Sequence, residues 1–341
     1  MFKKSFINRV LIIKNRPNPN WGERVVLSLY NFYRKLKYFV RHQDNKEFSK
    51  SYLFLKDKVR NITGKDYTFV SMEELVSWVE DWVKIFPDRY DLVVGVPRSG
   101  LMVASLIACK LGLPLTTPDN SLNQIWSSRL MSKQDNFKHV LLVDDSVSSG
   151  RSITEGLSAL KSILGQNIKI STAALIVSPE SLNKVDLFYK IIPKPRLFEW
   201  NMLHSNKQMI IASDLDGVLC PEPPPGIDLD PQNYNNWIRN VNPYMIPNFE
   251  LEAVVTNRLS DYRDETEIWL KKNGVKYKHL MMWEENNLGP KKQSDISRHK
   301  VSALLKVKPD IYWESQFKEG EKINQQTKIP TLCLDQKIIL S

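Results

Sequence analysis

Short apolar runs alternate with amphipathic stretches along the chain from about residue 66. Runs of branched apolar residues predict buried strands at 92–96, 140–143, 168–177 and 185–192. Helical periodicity predicts helices at 101–111 and 152–164, and the capping box Ser71-Met-Glu-Glu74 predicts another helix that ends near residue 86. The order of strand, loop and helix predicts right-handed βαβ units and therefore a parallel sheet.

A second series of strands and helices follows two prolines in the segment 191–196. Strands are predicted at 209–213, 251–256, 277–282, 311–313 and 331–334, with helices at 262–273 and 294–305. The pattern therefore predicts an α/β protein with two parallel-sheet domains, residues 66–205 and residues 206–341. Residues 1–65 form an N-terminal arm before them.

The net charge of +10 is concentrated in that arm, which contains sixteen Lys or Arg and four Asp or Glu. Its segment 23–41 predicts a basic helix because apolar residues recur at helical spacing. These apolar residues are Val25, Leu29, Phe32, Leu36 and Phe39. Two interpretations stay open: the apolar face packs against the protein itself, or the helix lies on an anionic membrane surface.

The three cysteines are widely separated and form no disulfide or metal-ligand pattern, which favours a reducing cytoplasm. No apolar run approaches the roughly 20 residues that a membrane span needs. The N-terminus has a basic start but too short an apolar run for a secretory signal. We expect a cytoplasmic protein whose basic arm is its candidate for peripheral contact with the inner face of the membrane.

The stretch VLLVDDSVSSGRS, residues 140–152, combines two acids with a hydroxyl-rich turn around one glycine. Asp144 and Asp145 are predicted at the carboxyl end of a strand, where α/β sheets bind ligands. The turn opens a helix, so its backbone N–H groups and the helix dipole favour an anion. A ligand with a phosphate and a diol satisfies both features. The alternative is a polar turn and helix cap without a ligand.

This stretch resembles the phosphoribosyl diphosphate (PRPP) signature of type I phosphoribosyltransferases. The resemblance, which covers about residues 66–196, implies that Asp144 and Asp145 bind the ribose hydroxyls and stabilise positive charge at the anomeric carbon. It implies a diphosphate loop at 95–100, with Mg²⁺ as cofactor. The implied PRPP-binding residues are Arg98, Ser99, Gly100, Val147, Ser148, Ser149, Gly150, Arg151 and Ser152.

The polar segment 116–137 stands in the place of the mobile catalytic loop of that family, with Arg129 and Lys133 as its available cations. The part of the protein that selects the acceptor, the hood, would come from the arm and from the segment around 193–204. Neither segment resembles a base-salvage enzyme. The acceptor is therefore not determined by the PRPP motif.

The string Asp214-Leu-Asp216-Gly-Val resembles motif one of the haloacid-dehalogenase-like phosphatases. Residues i and i+2 leaving a strand face one side, so one carboxylate can attack phosphorus while the other donates a proton. Asp214 would be the nucleophile and Asp216 the acid/base. Calcium loops and ordinary turns also use such a string.

Later residues fit the other motifs of that family. Thr256 and Asn257 follow a strand and would bind phosphate together with Lys300, while Asp214, Asp216 and Glu314 would bind Mg²⁺. Only one acid is found at motif four, since Ser315 and Gln316 follow Glu314. An active phosphatase and a degenerate scaffold therefore both stay open. No large cap domain fits between 219 and 249 or between 258 and 300.

The two chemistries can act in sequence, because PRPP transfer leaves a 5-phosphate that a phosphatase can remove. The chain also resembles enzymes that add ribofuranose to bacterial surface polysaccharides. We therefore expect a bifunctional enzyme that acts on a large, lipid-linked glycan. One alternative is a phosphoribosyltransferase of nucleotide metabolism with an attached phosphatase. Another is a PRPP-sensing regulator that binds nucleic acid, but no helix-turn-helix pattern is present and we expect no nucleic-acid partner.

Overall fold

The computed structural model describes residues 67–118, 125, 137–164, 168–204, 209–284 and 296–341. The predicted arm helix at 23–41, Arg129 and Lys133 lie outside these residues. The chain divides into two compact units. We call Val70–Trp200 the first unit and Asn201–Ser341, together with residues 67–69, the second unit. The division falls after Trp200, whereas the pattern of the sequence predicted a boundary after residue 205.

The first unit begins at the end of a short strand, and its described residues form a five-stranded sheet with three α-helices. The elements are β1 (Thr68–Val70), α1 (Met72–Val83), β2 (Leu92–Gly95), α2 (Ser99–Leu111), β3 (Leu115–Thr116), β4 (His139–Val147), α3 (Arg151–Leu164), β5 (Lys169–Val177), β6 (Leu187–Ile191) and β7 (Arg196–Phe198). The capping box at Ser71 and Glu74 is present at the start of α1. The helix ends at Val83, three residues before the predicted end.

The sheet of the first unit has the strand order β3-β2-β4-β5-β6, and all its pairs are parallel. Leu141 and Val143 of β4 belong to an apolar cluster with residues of α1 and α2. The alternate residues Val140 and Leu142 pack in a second cluster with residues of α3. Because β4 is covered on both faces, it reads as a continuous apolar run rather than an alternating one.

β4 is longer than the pattern predicted, and this changes the position of the acid pair. The predicted apolar strand ended at Val143, with Asp144 and Asp145 at its carboxyl end and the turn starting at Ser146. In the structure the pairing with β5 continues to Val147, which lies opposite Val177. Asp144 and Asp145 are therefore part of the strand, and the turn begins at Ser148. An apolar run marks burial, whereas backbone pairing continues through polar residues.

The second unit contains a six-stranded sheet. Its elements are β8 (Ile211–Ser213), α4 (Pro231–Asn240), β9 (Glu250–Leu259), α5 (Arg263–Lys272), β10 (Lys276–Trp283), α6 (Ile296–Val307), β11 (Ile311–Glu314), α7 (Phe317–Thr327), β12 (Thr331–Cys333) and β13 (Ile338–Leu340). The strand order is β10-β9-β8-β11-β12-β13, and only the β12–β13 pair is antiparallel. β8, β9 and β11 are neighbours, so their carboxyl ends meet at one edge of the sheet.

Three elements of the second unit were not predicted: α4, α7 and β13. α4 lies in the segment after Asp216, where the pattern indicated only a short connection. Asp230 caps this helix by accepting from the N–H groups of Gln232 and Asn233, and Pro231 occupies its first position. The capping signal was present in the sequence, but a mostly polar helix gives little apolar periodicity.

Among the described residues, no helix combines the length and apolar character that crossing a membrane requires.

Candidate functional site

Two adjacent carboxylates are almost fully buried near the end of β4. Asp144 and Asp145 are 7% and 5% exposed, and the backbone N–H of Asp145 donates to Oδ1 of Asp144 over 2.9 Å. Burial and the neighbouring charge of Asp145 raise the pKa of Asp144 to about 8. Burial also raises the pKa of Asp145, although a hydrogen bond from Trp200 acts in the opposite direction. The pair therefore retains a proton near neutral pH, as two solvated aspartates do not.

The residues predicted to bind the ribose phosphate lie in the loop between β4 and α3 and directly beside it. They are Val147 at the end of β4, Ser148, Ser149 and Gly150 in the loop, and Arg151 and Ser152 in the first turn of α3. Ser181 donates to the backbone carbonyl of Ser148. The Oγ of Ser149 accepts from the backbone N–H of Arg151 over 3.3 Å. The positive end of the α3 dipole suits an anion at this loop.

The loop after β2 brings Gly100 against the acid pair. Arg98, Ser99 and Gly100 lie at the start of α2, and Arg98 is exposed. The Pro97–Arg98 peptide is cis. A Cβ atom added at Gly100 would lie 2.8 Å from both the Cα and the Oδ1 of Asp144. Packed atoms do not approach this closely, so glycine permits the contact between this loop and the acids.

Substituting Gly100 by alanine is therefore expected to displace Asp144 and to lower the free energy of unfolding by about 1–3 kcal/mol, as overpacking does. Gly156→Ala is the matched control in α3, because its added Cβ would lie 3.5 Å from the nearest atom, an ordinary contact. Alanine is also the better helix former there. Denaturant unfolding of both variants measures the difference. Equal stability of the two variants would contradict the close approach of Gly100 to Asp144.

Two further side chains contact this site, and the patterns of the sequence did not single them out. The Nε1–H of Trp200 donates to Oδ2 of Asp145 over 2.8 Å. The Nη2 of Arg196 donates to the Oγ of Ser148 over 2.9 Å. Both residues lie in the segment 193–204 that was predicted to contribute to a hood. The sequence indicated the segment, but not which side chains reach the acids and the loop.

In the second unit, Lys300 lies at the centre of a buried group of acids. Its Nζ is 2.6 Å from Oδ2 of Asp214, 2.9 Å from Oε2 of Glu314 and 3.4 Å from Oε1 of Glu319. Asp214, Lys300 and Glu314 are 4%, 2% and 0% exposed. Asp214 follows β8 and Glu314 ends β11, while Lys300 lies on α6. The structure thus brings three of the predicted phosphatase residues into direct contact.

The charged groups in this cluster shift one another's pKa. Burial raises the pKa of Asp214 and of Glu319, and the charge of Lys300 opposes this effect. Burial by itself lowers the pKa of Lys300, but the charges of Asp214, Glu314 and Glu319 outweigh it and raise the pKa. Lys300 is therefore charged, whereas Asp214 and Glu319 hold their protons to higher pH than solvated carboxyls do.

Glu319 is the acid that the sequence interpretation missed. Only positions 315 and 316 were considered for a second acid after Glu314, and they are Ser and Gln. Glu319 lies in the first turn of α7, and its Oε1 also accepts from the amide of Asn257 over 3.3 Å. A helix that starts directly after β11 returns this carboxylate to the strand end. Glu319 could have been identified from the sequence if a helix had been predicted directly after β11.

Asp216 contacts a buried arginine rather than Lys300. Nε of Arg258 is 3.0 Å from Oδ2 of Asp216, and Nη2 is 2.6 Å from Oδ1. The Arg258 side chain has no exposed surface, and its guanidinium lies 5.3 Å from the ring centroid of Trp237. Because both carboxylate oxygens contact Arg258, this pair has to open before Asp216 gives a proton to a leaving oxygen. The roles of Asp216 as acid/base and as magnesium ligand stay predictions.

The two predicted phosphate-binding residues on β9 form hydrogen bonds within the second unit. Thr256 is fully buried, and its Oγ1 accepts from the backbone N–H of Arg258 over 3.2 Å. Asn257 donates to Glu319, while its buried Oδ1 has no hydrogen-bond partner. An unpaired amide oxygen beside Glu319 can accept from a ligand or water. The phosphate-binding roles of both residues stay predictions.

Magnesium was predicted at this centre. Among residues that the structure describes, no group of three or more His, Cys, Asp or Glu is arranged to hold a metal ion. The carboxyl groups of Asp214, Glu314 and Glu319 are nevertheless the oxygen donors that Mg²⁺ prefers, and all three surround Lys300. By the chemistry of its donors the centre fits a divalent cation with several waters.

Part of the chain is similar to a known family of proteins. Residues 72–205 match a family model described as a phosphoribosyl transferase domain. An orotate phosphoribosyltransferase of Staphylothermus marinus is 32% identical over 77 residues, which are 23% of this chain and 38% of that protein. An orotate phosphoribosyltransferase of Pyrobaculum islandicum is 26% identical over 110 residues, covering 31% of this chain and 53% of that protein.

Among solved structures, the chain is similar to a xanthine-guanine-hypoxanthine phosphoribosyltransferase of Helicobacter pylori. The TM-score is 0.32 at 21% identity, and the match covers 40% of this chain and 93% of that chain. The chain spans between about a third and a half of the length of the two curated relatives. On the family match, residues 72–205 are a type I phosphoribosyltransferase domain within a parallel-sheet α/β fold.

Proposed function

We propose that the protein is a bifunctional enzyme. The first unit transfers the 5-phosphoribosyl group of PRPP to a glycan acceptor, and the second unit removes the 5-phosphate to leave ribofuranose. Within the transferase proposal, one observation has the most weight. The buried pair Asp144 and Asp145 lies beside the loop 148–150 in a domain of the phosphoribosyltransferase family.

The residues of the first unit suit the transfer step. An acceptor hydroxyl oxygen attacks the anomeric carbon, the bond from this carbon to diphosphate breaks, and diphosphate leaves with the bonding electron pair. The acceptor proton passes to solvent. Asp144 and Asp145 accept from the ribose hydroxyls and stabilise the positive charge that develops on the ring. Backbone N–H groups at the start of α3 hold the 5-phosphate, and the loop with Arg98 receives the diphosphate.

Magnesium is expected to enter with PRPP, where it neutralises diphosphate charge. In the second unit, Asp214 and Glu314, with Glu319, would hold a further magnesium ion. When bound, this ion supplies positive charge to the phosphoryl oxygens. Lys300 supplies a fixed positive charge in the same place, because its Nζ contacts Asp214 and Glu314.

The second unit suits phosphate removal. The Oδ of Asp214 attacks phosphorus, and the ribose O5 leaves with its electron pair and takes a proton from Asp216 after the contact with Arg258 opens. Water then attacks the phosphoaspartate and releases inorganic phosphate. Glu319 provides a second acid beside Glu314 at Lys300, which supports an active phosphatase rather than a degenerate scaffold.

A large acceptor is supported by the small insertion after Asp216. Between β8 and β9 the structure has α4 and one short 3₁₀ helix, which is less than a cap domain. A lipid-linked glycan, an intermediate of O-antigen or capsule synthesis, is the acceptor that we propose. The basic arm, residues 1–65, would then contact the anionic inner face of the cytoplasmic membrane.

Mass spectrometry of the product tests both steps. The full chain is incubated with PRPP, Mg²⁺ and a lipid-linked glycan fraction. We expect wild type to add a pentose without phosphate, and Asp214→Asn to add a pentose that keeps its phosphate. Asp261→Asn, an acid in the short helix before α5, serves as control and should give the wild-type product. A product that retains phosphate with wild type would contradict the phosphatase role.

A further inference from the structure

A short segment at the end of the first unit contacts both parts of the candidate PRPP site. Trp200 donates its indole N–H to Oδ2 of Asp145 over 2.8 Å. Arg196 donates from Nη2 to the Oγ of Ser148 over 2.9 Å. One contact thus reaches the acid pair predicted to bind the ribose hydroxyls. The other reaches the loop predicted to bind the 5-phosphate.

Phe198 connects these two side chains. The rings of Phe198 and Trp200 are stacked, with centroids 4.7 Å apart and planes inclined by 3°. The guanidinium carbon of Arg196 lies 5.2 Å from the centroid of Phe198. Arg196 and Phe198 are alternate residues of β7, so their side chains lie on one face of that strand. Trp200 follows in a short 3₁₀ helix, Glu199–Asn201, and its ring stacks on Phe198. We call these three residues the positioning strip.

The positioning strip is fixed by contacts that involve no ligand. The Nη1 of Arg196 donates to the carbonyl of Ile192 over 2.7 Å. The carboxylate of Glu199 accepts from the backbone N–H of Met72, at the start of α1, over 2.6 Å. Phe198 is 9% exposed. A rigid element that already touches both ends of a site can set the distance between them before the ligand arrives.

Charge adds to this geometry. Burial lowers the pKa of Arg196, which the charges of Asp145 and Glu180 oppose. The guanidinium stays charged, because this group does not lose its proton under ordinary conditions. Positive charge beside Ser148 favours an anion at the loop 148–150. The indole N–H favours a fixed orientation of the Asp145 carboxylate.

We propose that Arg196, Phe198 and Trp200 are positioning residues for PRPP. They hold the acid pair and the loop 148–150 at a fixed distance from each other. This inference rests on the proposed binding of PRPP by the first unit. Phe198 has no polar side-chain atom and acts only through its two neighbours. We therefore expect substitution of Phe198 to change the affinity for PRPP, although its side chain cannot hydrogen-bond to PRPP.

Calorimetric titration of the full chain with PRPP and Mg²⁺ tests the strip. Trp200→Phe keeps an aromatic ring and removes the donor, while Arg196→Gln removes the charge. Each is expected to raise the Kd of PRPP about tenfold, the loss of one hydrogen bond to a charged group. Phe198→Leu is expected to raise it by a similar factor, and Arg196→Lys should restore part of the affinity lost in Arg196→Gln.

Two substitutions in the same unit serve as matched controls. Trp78→Phe in α1 and Phe188→Leu in β6 make the same two exchanges at partly buried aromatic residues that pack against the two apolar clusters. They are expected to lower the melting temperature as much as the strip variants do and to leave the Kd of PRPP unchanged. In the double variant Arg196→Gln, Trp200→Phe, the Kd of PRPP should rise by less than the product of the two single-variant factors. The reason is that Phe198 couples Arg196 to Trp200.

The outcomes separate the strip from the proposed function. If wild type binds PRPP and the strip variants bind it equally well, the strip has no positioning role and the inference is wrong. If the control variants lose as much affinity as the strip variants, general loosening of the unit explains the result and the inference is again wrong. If wild type binds no PRPP, the proposed function fails, and the strip fails with it.

Discussion

Replacing Lys300 by methionine is expected to lower the free energy of unfolding of the second unit by about 3–5 kcal/mol, the usual cost of removing one partner from a buried ion pair. Lys300 contacts Asp214, Glu314 and Glu319, and these side chains are largely shielded from solvent. Without the ammonium group, three carboxylates remain buried close together. Thermal unfolding of the full chain measures the effect.

The loss should depend on pH with a definite sign. In the folded protein the pKa of Asp214 and of Glu319 is already raised by burial, and loss of Lys300 raises it further. A carboxyl whose folded pKa exceeds its unfolded pKa destabilises the fold as pH rises above the unfolded value. The stability of Lys300→Met should therefore approach that of wild type at about pH 5 and fall away at about pH 8.

Lys306→Met is the matched control for this experiment. Lys306 lies on the same helix, α6, and is exposed in its last turn. The control should change the melting temperature little, since exposed charges contribute about 0–1 kcal/mol. A Lys300→Met protein that is as stable as Lys306→Met at both pH values would show that the acid cluster does not depend on Lys300.

Replacing Asp144 by asparagine is expected to reduce transfer from PRPP about a hundredfold, a typical cost of removing one group that stabilises transition-state charge. The same substitution should stabilise the first unit at about pH 8. The two effects have one cause, because a buried carboxylate next to Asp145 suits a developing cation but is unfavourable in the free protein. Stability and activity therefore change in opposite directions.

The sign follows from the raised pKa of Asp144, about 8 in the folded protein against an ordinary 3.8. The unfolded chain releases this proton at lower pH than the folded chain does, so wild-type stability falls between about pH 4 and about pH 8. The asparagine side chain of the Asp144→Asn variant cannot titrate. The decrease in the free energy of unfolding over this pH range should therefore be smaller in the variant by a few kcal/mol, the order that the pKa shift of Asp144 implies. Thermal unfolding at both ends of this range measures it.

Asp81→Asn is the control, because Asp81 is an exposed residue of α1 that pairs with Lys84 over 2.9 Å. This variant should keep both the wild-type transfer rate and the wild-type dependence of stability on pH. If Asp144→Asn and Asp81→Asn follow the same curve, the pKa of Asp144 is not raised and the acid pair is an ordinary solvated one.

Local patterns predicted the sheets and most of the helices, because burial on both faces leaves a clear signature in the sequence. The buried runs of β2, β4 and β5 were recognised, and so was the cap of α1 at Ser71. The end of β4 was placed too early, since the apolar run ends at Val143 while the pairing with β5 continues to Val147. Polar residues that pair within a sheet carry no local sign of it.

The candidate sites were only partly predictable, because their contacts join distant parts of the chain. Trp200 and Asp145 are 55 positions apart, and Arg258 and Asp216 are 42 apart. Motif spacing identifies residues near one strand end, such as Asp214 and Asp216. It does not indicate that one contacts Lys300 while the other contacts Arg258, which depends on how the helices pack.

Acceptor-dependent release of diphosphate from PRPP is the measurement that tests the central claim most directly. With Mg²⁺ and a lipid-linked glycan fraction, we expect wild type and Asp214→Asn to release diphosphate, and Asp145→Asn to release almost none. Orotate and purine bases should not replace the glycan. Diphosphate release with a nucleobase but not with the glycan, or equal release by Asp145→Asn and wild type, would contradict the proposed transfer at the Asp144 and Asp145 pair.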